Sequence, residues 1–352
     1  MGTFPGRVLM SILTAGVGLG LIYALFRAFG VTGADFMEAL SRSPWQLYVA
    51  VTIILILNNL IGALKWRAAI RWLDPAATVP PMTASFEASI FGSLFGLLLL
   101  PQVTSAAARW LVLKRNGGRG SLAVSTTFYE QVCDMFMTAT AGIACLFILL
   151  FTLGPIAGGL LAVAAFATAL VGMGPIFAAG AALFAGIRRL VPPGRIADGF
   201  GTFAEVLRRL AAAPWRASLT MMSYSALRLI LQTTHGVAVA LVFAPFASSL
   251  MVAAGVPPAL LVGVIPLSPS GLGVAEWTWS GLLLIAGATP ASAAITSLAS
   301  RIMYVLPLVA VSAALLPLLA FRVLSATSGR LASDPRKGPE FNSSSPPESL
   351  NP

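Results

Sequence analysis

The stretch WQLYVAVTIILILNNLIGAL, residues 45–64, decides the fold. It begins with Trp45, contains no charged side chain and is followed at once by Lys65, Arg67 and Arg71. About 20 apolar residues carry a helix across the hydrocarbon core of a bilayer, and Trp and basic residues are typical of its two boundaries. The stretch therefore predicts a transmembrane helix that ends in a basic cytoplasmic loop.

Apolar stretches of this kind recur along the whole chain. Of its 352 residues, 57% are hydrophobic and only 10% are charged, which leaves too little polar surface for a soluble globule of this size. The predicted fold is an all-α polytopic membrane protein with about six to eight transmembrane helices. Besides 45–64, the long predicted helical stretches are 8–29, 121–151, 156–188, 217–243 and 291–320.

Two segments decide how many helices the chain has and where the membrane domain ends. Gly172-Met173-Gly174-Pro175 lies inside 156–188 and leaves open whether that stretch is one kinked helix or a hairpin. Residues 323–352 are rich in Ser, Pro and charge and lack apolar periodicity, which predicts a disordered cytoplasmic tail. The integral membrane domain is accordingly predicted over residues 1–322.

The position of the basic residues explains the formal net charge of +10. Lys and Arg cluster in short loops between apolar stretches, as the positive-inside rule expects of cytoplasmic loops. This pattern excludes nucleic acid as the expected partner and predicts a multi-pass protein of the cell (inner) membrane with both termini in the cytoplasm. The basic, amphipathic segment 188–216 is predicted to lie along the cytoplasmic surface.

Two interruptions break the regular alternation of spans and loops. The first joins the apolar residues 84–100 to Pro101-Gln102-Val103-Thr104-Ser105 and has basic residues on both flanks. A full crossing would leave one basic loop outside, so a re-entrant pair of half-helices is predicted, a structure that needs surrounding protein or a water-filled cavity. The second contains Pro257-Pro258 and PLSPSGLGVAE, residues 266–276.

The two interruptions would face opposite sides of the membrane under this topology. Such an arrangement is typical of an inverted repeat. The sequence shows no residue-by-residue similarity between its halves, so the repeat is a hypothesis.

Ionisable residues inside the spans predict a polar site, because charge in a bilayer is costly unless it is paired or faces a cavity. Glu130 and Asp134 share a helix face and are expected to contact a headgroup or a basic residue of a neighbouring helix. For Glu130, an interfacial position is the alternative. Arg109 and Arg228 could bind a phosphodiester through their planar guanidinium groups or extend to the interface.

The second interruption places Glu276 at the start of a helix. Backbone N–H groups exposed after Gly271 and Gly273 could hold an anionic group, but the Glu276 carboxylate would repel a phosphate. An ion pair between Glu276 and Arg301 is therefore predicted.

Other polar residues predict structural roles. His235 is the single histidine, and a hydrogen bond between helices is expected for it, as for Asn58 and Asn59. Glu87 is either a buried carboxylate of the first interruption or an interfacial acid. Two cysteines without metal-ligand spacing and one histidine predict no metal site and no cofactor.

Several of these residues occur in an order that resembles the flippase-like transmembrane region of lysylphosphatidylglycerol synthases and related stand-alone integral membrane proteins. The motifs are Asn59 with Lys65-Trp66-Arg67, Leu100-Pro101 with Arg109, Glu130 with Asp134, 266–276, and Arg301 with Tyr304. The resemblance covers about residues 8–322. Together with the arguments above it predicts a lipid-binding or translocation site formed by Asn59, Arg109, Glu130, Asp134, Arg228, Gly271, Gly273, Glu276, Arg301 and Tyr304.

The chain departs from the family pattern in three ways. Glycines usually follow the proline at 101, where this chain has Gln-Val-Thr-Ser-Ala, and the usual Glu-Arg-x-x-Asp is Glu130-Gln131-Val132-Cys133-Asp134 here. The soluble aminoacyl-transferase domain of the two-part synthases has no counterpart in the sequence, so lysine transfer is not implied.

The sequence predicts a lipid translocase that moves a polar-headgroup lipid between leaflets. The expected partner is a membrane lipid, which could be a phospholipid or an aminoacylated, glycosylated or polyprenyl-linked lipid. A membrane-embedded transferase acting on a lipid-linked substrate is one alternative. An accessory subunit of an envelope-lipid pathway, with a lipid-modifying enzyme as partner, is another. No catalytic motif is found, which favours a non-enzymatic function.

Overall fold

A computed structural model describes residues 4–97, 99, 101–263 and 271–332 of the protein. The described part is helical, with no strand among these residues, which confirms the predicted all-α polytopic fold. Its helices are α1 Phe4–Phe29, α2 Gly33–Ser41, α3 Trp45–Leu73, α4 Met82–Gly96, α5 Pro101–Arg115, α6 Gly120–Phe151, α7 Pro155–Leu190, α8 Arg195–Ala211, α9 Trp215–Phe243, α10 Ser249–Gly263, α11 Val274–Ile285 and α12 Pro290–Ala332.

Within the described residues, 5 helices are long and apolar enough to cross a bilayer, namely α3, α6, α7, α9 and α12. A sixth candidate span is the bent pair made of Gly16–Phe29 and Gly33–Ser41, whose two arms meet at 89°. The described residues therefore hold 5 or 6 candidate spans, which at most reaches the lower end of the predicted six to eight.

The twelve helices form two series with the same order of elements. Helices α1 to α6, and again α7 to α12, run as a long helix, a shorter helix, a long helix, two short helices and a long helix. The third helix of each series, α3 or α9, contains 29 residues and begins with a tryptophan directly after a capping proline. The first series is called the first half below and the second series the second half.

Helices α3 and α9 pack against each other in opposite directions. Leu47 and Val51, near the start of α3, cluster with Val239 and Phe243, near the end of α9. At the other end of the contact, Lys65 donates a hydrogen bond to Ser225, which lies nearer the start of α9. Because α3 and α9 are antiparallel, the short helices that follow them begin at opposite ends of the bundle. This is the geometry of an inverted repeat, which sequence similarity alone did not reveal.

Helices α4 and α5 fold back on each other and form the first hairpin. A Cβ at Gly92 would lie 3.1 Å from Ser105 Cα, and one at Gly96 would lie 3.2 Å from Pro101 Cα. The Thr104 hydroxyl donates to Gly92 O at 2.9 Å and ties the two helices together. The predicted pair of half-helices is therefore present.

Helices α10 and α11 form the second hairpin. The Ser248 N–H donates to Ala286 O at 2.8 Å, and Gly255 lies against Trp279. The prediction that Pro257-Pro258 breaks the helix is wrong, because both prolines lie inside α10. Neighbouring helices surround α10 and tolerate the missing N–H donors, as is common for proline in membrane helices. Pro266 and Pro269 lie outside the described residues.

The stretch whose form was open, 156–188, is one helix, α7, which continues through Pro175. The amphipathic segment after it forms α8, and its apolar face is used for packing within the protein. Leu207 and Leu210 are buried in a cluster with residues of α6, α7 and α9, while Phe203 meets Phe128 edge to face. Its position relative to the membrane surface stays a prediction.

The chain divides into two compact units, residues 1–309 and 310–352. The first unit contains both hairpins and the start of α12. The described part of the second unit is the rest of α12, which continues past Arg322 to Ala332. The predicted domain boundary between residues 322 and 323 stays a prediction, and residues 333–352 lie outside the described part.

Candidate functional site

Lys65 forms the centre of a buried polar network in the first unit. Its side chain is fully buried, and Nζ donates to Asp134 Oδ1 at 2.7 Å, Ser225 Oγ at 2.8 Å and the Glu130 carbonyl oxygen at 3.0 Å. The prediction that Lys65 lies in a cytoplasmic loop after Leu64 is wrong, since α3 continues to Leu73. A carboxylate on α6 compensates the charge that an isolated lysine could not carry into the protein interior.

Asp134 joins three helices because two cations share its carboxylate. Lys65 of α3 contacts Oδ1, and Arg228 Nη1 of α9 donates to Oδ2 at 2.6 Å. Arg228 Nε also lies 3.4 Å from Asn58 Oδ1, a longer contact that again links α9 to α3. The two halves of the repeat therefore meet at this carboxylate.

A second buried ion pair attaches the first hairpin to α6. Arg109 Nη2 donates to Glu130 Oε2 at 2.8 Å, and Nη1 donates to Thr127 Oγ1 at 3.2 Å. The guanidinium carbon lies 5.4 Å from the centre of the Trp66 ring, within the range of a cation–π contact. Arg109 and Glu130 are 7% and 2% exposed, so neither residue extends to an interface.

The Arg109–Glu130 pair lies at a polar cavity of about 340 Å³, the first cavity. Its walls come from the first hairpin together with α3, α6, α9, α10 and α12. Predicted site residues that line it are Asn59, Arg109, Glu130, Asp134, Arg228 and Tyr304.

Polar atoms at the wall of the first cavity are not all paired. Glu130 Oε1 and Ser89 Oγ are buried and have no hydrogen-bond partner among the described residues. Asn59, in contrast, accepts from Ser93 Oγ at 3.1 Å and donates to Leu55 O at 3.0 Å, which orders the wall between α3 and the hairpin. The cavity wall therefore carries fixed charges, and two of its residues keep an unpaired polar atom buried within the wall.

Glu276 and Arg301 form the ion pair that was predicted from their positions. The Glu276 Oε2 atom accepts from the Gly273 N–H at 2.6 Å, and Ser297 Oγ donates to the Glu276 carbonyl at 2.9 Å. The start of α11 is thus capped by its own carboxylate. Glu276 is 3% exposed, which places this pair inside the protein.

Gly271 and Gly273 have backbone roles in the structure. Their φ angles of 68° and 85° lie in the left-handed region that favours glycine. At Gly273 a Cβ would lie 2.5 Å from Leu21 Cβ, so the close packing of α1 also leaves no room for a side chain at this position. The structure explains both glycines by the turn before α11, and their part in lipid binding stays a prediction.

A second cavity, of about 310 Å³, lies beside the second hairpin. Polar groups of Glu276, Arg301, Tyr304 and His235 line it, next to apolar walls from α3, α10 and α11. His235 Nε2 lies 3.2 Å from both the carbonyl and the hydroxyl oxygen of Ser300, the contact between helices that was predicted.

The two cavities adjoin each other between the halves of the repeat. The residues that line both are Asn58, Leu97, Gln232, Leu260 and Tyr304.

Matching positions in the two halves make matching contacts. Lys65 lies as far from Trp45 as His235 lies from Trp215, and Glu130 lies as far from the start of α6 as Ser300 from the start of α12. Lys65 contacts the Glu130 carbonyl, and His235 contacts the Ser300 carbonyl. The halves share a framework but differ in side-chain chemistry.

A family model described as "Lysylphosphatidylglycerol synthase TM region" matches residues 8–312. The chain belongs to this family. No curated protein gives a significant match. As a member of the lysylphosphatidylglycerol synthase TM region family, the chain is a membrane protein linked to lipid handling.

Gln131, where the resemblance described above would place an arginine, lines the first cavity. In the described part of the chain, no group of three His, Cys, Asp or Glu residues could hold a metal ion.

Sequence reasoning missed Lys65 as a site residue because it ended the helix at the first basic side chain. The sequence does indicate that the helix continues, since Ala68, Ala69 and Ile70 extend the apolar pattern beyond Lys65. Glu130 and Asp134 on one face of α6 also indicate that more than one cation is buried beside them.

Proposed function

We propose that this family member is a lipid translocase, which moves a polar-headgroup lipid between the leaflets of the cell membrane. The observation that carries the proposal is the pair of adjoining cavities between two inverted halves, each lined by charged side chains and each beside a helical hairpin. Transporters built from inverted repeats bind their substrate at the repeat interface, often beside discontinuous helices.

The first cavity suits the headgroup. Its volume of about 340 Å³ falls in the range of small-molecule sites, about 300–1,000 Å³. Buried Glu130 Oε1 and Ser89 Oγ at its wall could bond to a polar guest after small side-chain rotations. The acyl chains would stay in the bilayer while the headgroup is sheltered from it.

Movement between leaflets would come from rocking of the halves. Asp134 belongs to the first half and Arg228 to the second, so this pair marks the surface along which the halves would move. In the proposed topology both termini are cytoplasmic, and the two cavities would open to opposite sides in turn.

The test is a reconstitution of the purified full chain into proteoliposomes with phospholipids labelled on an acyl chain. Dithionite added outside bleaches the label on outer-leaflet lipids only. The protein should raise the bleached fraction above the half seen in protein-free vesicles, with the lipid chemically unchanged.

Arg228→Gln should lower the rate of crossing, because it removes a cation from the cavity wall. Arg216→Gln is the matched control, since Arg216 is an exposed arginine on the same helix and its loss should leave the rate unchanged. A new lipid product would support a membrane-embedded transferase instead. Neither crossing nor a product would support the accessory subunit.

A further inference from the structure

His235 takes the place in the second half that Lys65 takes in the first, but its surroundings differ in charge. Lys65 contacts the Asp134 carboxylate. Tyr304 takes the place of Asp134 in the second half, since the two residues lie equally far from the starts of α12 and α6. The oxygens that His235 contacts in α12, both of Ser300, are uncharged. A titratable ring among uncharged contacts thus replaces a cation held by a carboxylate.

The contact with Ser300 decides which ring nitrogen of His235 carries a hydrogen. Nε2 lies 3.2 Å from the Ser300 carbonyl oxygen, which can only accept, so Nε2 is the donor. Nδ1 is then the unprotonated nitrogen of the neutral ring. Among the described residues Nδ1 has no hydrogen-bond partner, and it is not fully enclosed by them. A proton can therefore add to Nδ1 while the contact with Ser300 stays in place.

The charges that line the second cavity balance while His235 is neutral. The other titratable residues of this lining are Glu276 of α11 and Arg301 and Tyr304 of α12, and the residues that α3 and α10 contribute are uncharged. Glu276 and Arg301 pair with each other. On α9 itself, Arg228 lies about two turns before His235 and is held by a carboxylate of α6. A proton on Nδ1 would therefore change this lining from neutral to singly positive.

We infer that His235 binds a proton in the second cavity and that this proton accompanies a lipid across the membrane. The inference rests on the proposed function and adds a coupling ion to it. The proton adds to the Nδ1 lone pair when the cavity opens to one side and returns to water when it opens to the other. No other reactant is consumed. Lys65 cannot replace His235 in this role, because its ammonium group donates to three acceptors and stays charged.

Burial links protonation of His235 to movement of the halves. The ring is half-buried, and a charge added there without a carboxylate in contact is costly. The protonated form should favour the arrangement in which water or a headgroup reaches the ring, and the neutral form the closed arrangement. A proton gradient would then bias the direction in which the cavities open.

The chain contains a single histidine, so protonation of His235 can be measured directly. The full chain, grown with isotope-labelled histidine and purified without a histidine tag, gives the nitrogen signals of one imidazole ring by NMR. We expect the Nε2–H tautomer at about pH 8 and a second proton on Nδ1 as the pH falls to about 5. A ring that carries its hydrogen on Nδ1 instead, or stays neutral over this range, would overturn the inference.

The distribution of lipid under a proton gradient tests the coupling. Proteoliposomes with acyl-labelled lipid in both leaflets are prepared at about pH 7 and diluted to about pH 8, with potassium and valinomycin holding the membrane potential at zero. One proton per lipid would change the ratio of label between the leaflets by up to about tenfold for one pH unit. The label should become even again when nigericin removes the gradient.

His235→Gln separates proton binding from the contact between helices. The glutamine amide can still donate to the Ser300 carbonyl but takes up no proton, so the gradient should no longer change the ratio of label. Thr234→Gln is the matched control, because Thr234 is an exposed neighbour on α9 outside both cavities, and its response should equal that of the wild type. A folded His235→Gln variant that still concentrates the label would overturn the inference.

Failure of the inference can be told apart from failure of the proposed function. Lipid that crosses but stays evenly distributed under the gradient would support translocation and reject the coupled proton. A His235 ring that titrates in a chain that moves no lipid would support the proton site and reject translocation.

Discussion

At the scale of single residues, Asp134 is the least replaceable part of the polar network, because it compensates two cations. Asp134→Asn leaves Lys65 fully buried without a carboxylate, and removing one partner from a buried ion pair costs about 3–5 kcal/mol. Lys65→Met leaves Asp134 paired with Arg228 and should cost only the lost hydrogen bonds, about 1–3 kcal/mol. Thermal unfolding in detergent, followed by circular dichroism, measures both.

The double variant with Lys65→Met and Asp134→Asn should be more stable than Asp134→Asn alone. Lys114→Met is the control, since Lys114 is exposed on α5 and its replacement should cost no more than its cation–π contact with Trp110, about 0.5–1 kcal/mol. A larger loss for Lys65→Met than for Asp134→Asn would contradict the shared carboxylate.

The Glu276–Arg301 pair gives a second prediction at this scale. Glu276→Gln and Arg301→Gln should each lower stability or transport, and exchanging the two residues should recover part of the loss. Recovery stays incomplete because an arginine at 276 cannot accept from the Gly273 N–H. Transport assays and thermal unfolding measure the coupling.

The exposed pair of Glu205 and Arg208 on α8 is the control for that exchange. Its exchange should alter stability by less than about 1 kcal/mol, as is typical of surface ion pairs. Independent, additive effects of the two single changes at 276 and 301 would reject the coupling.

At the scale of helices, the first hairpin depends on the close approach of α4 and α5. A Cβ at Gly92 would lie 3.1 Å from Ser105 Cα and 3.2 Å from Ser105 Oγ, so Gly92→Ala must push the helices apart. The expected loss of stability is about 1–3 kcal/mol. Chemical denaturation of the full chain in mixed micelles measures it.

Gly159→Ala is the matched control because Gly159 also lies inside a helix, α7, and a Cβ there meets nothing within 4 Å. That change should be neutral or stabilise the helix by up to about 1 kcal/mol. An equal effect of the two replacements would show that the hairpin tolerates separation.

The sequence predicted the helices well and their boundaries less well. Apolar length identified the spans, and charge on both flanks identified the first hairpin. Pro257-Pro258 was misjudged because a proline breaks a helix only where its missing N–H matters, which depends on neighbours that the sequence does not show. Lys65 was misplaced for the same reason, since its carboxylate partner lies on a distant helix.

At the scale of the whole molecule, the inverted repeat predicts opposite sides for equivalent loops. The loop after the first hairpin contains Asn116, and the equivalent loop after the second hairpin contains the exposed Thr289. Single cysteines at these positions, with Cys133 and Cys145 replaced by alanine, should be labelled from the cytoplasm and from outside, respectively. A membrane-impermeant maleimide applied to cells and to inverted vesicles distinguishes the sides.

The control for this experiment is the chain with Cys133 and Cys145 replaced by alanine, which should transport lipid at the wild-type rate. Labelling of both positions from one side would reject the inverted topology, and labelling of Asn116→Cys from outside would reverse the proposed orientation.

The repeat itself could only be a hypothesis from the sequence. Its two halves keep the order of long and short helices and the positions of Lys65 and His235, but they do not keep side-chain identity. A fold constrains where a helix bears a polar group more tightly than which group it bears. Contacts between helices were therefore needed to reveal the relationship.

The shared carboxylate also has a consequence for biosynthesis. Lys65 leaves the ribosome well before Asp134, so α3 enters the membrane with an unpaired charge, whose insertion would cost about 2.5–3.5 kcal/mol at the bilayer centre and less towards its edge. The surrounding apolar residues of α3 must outweigh that cost until α6 arrives. Arg228 follows last and finds its partner already in place, so the order of synthesis neutralises one cation before it delivers the next.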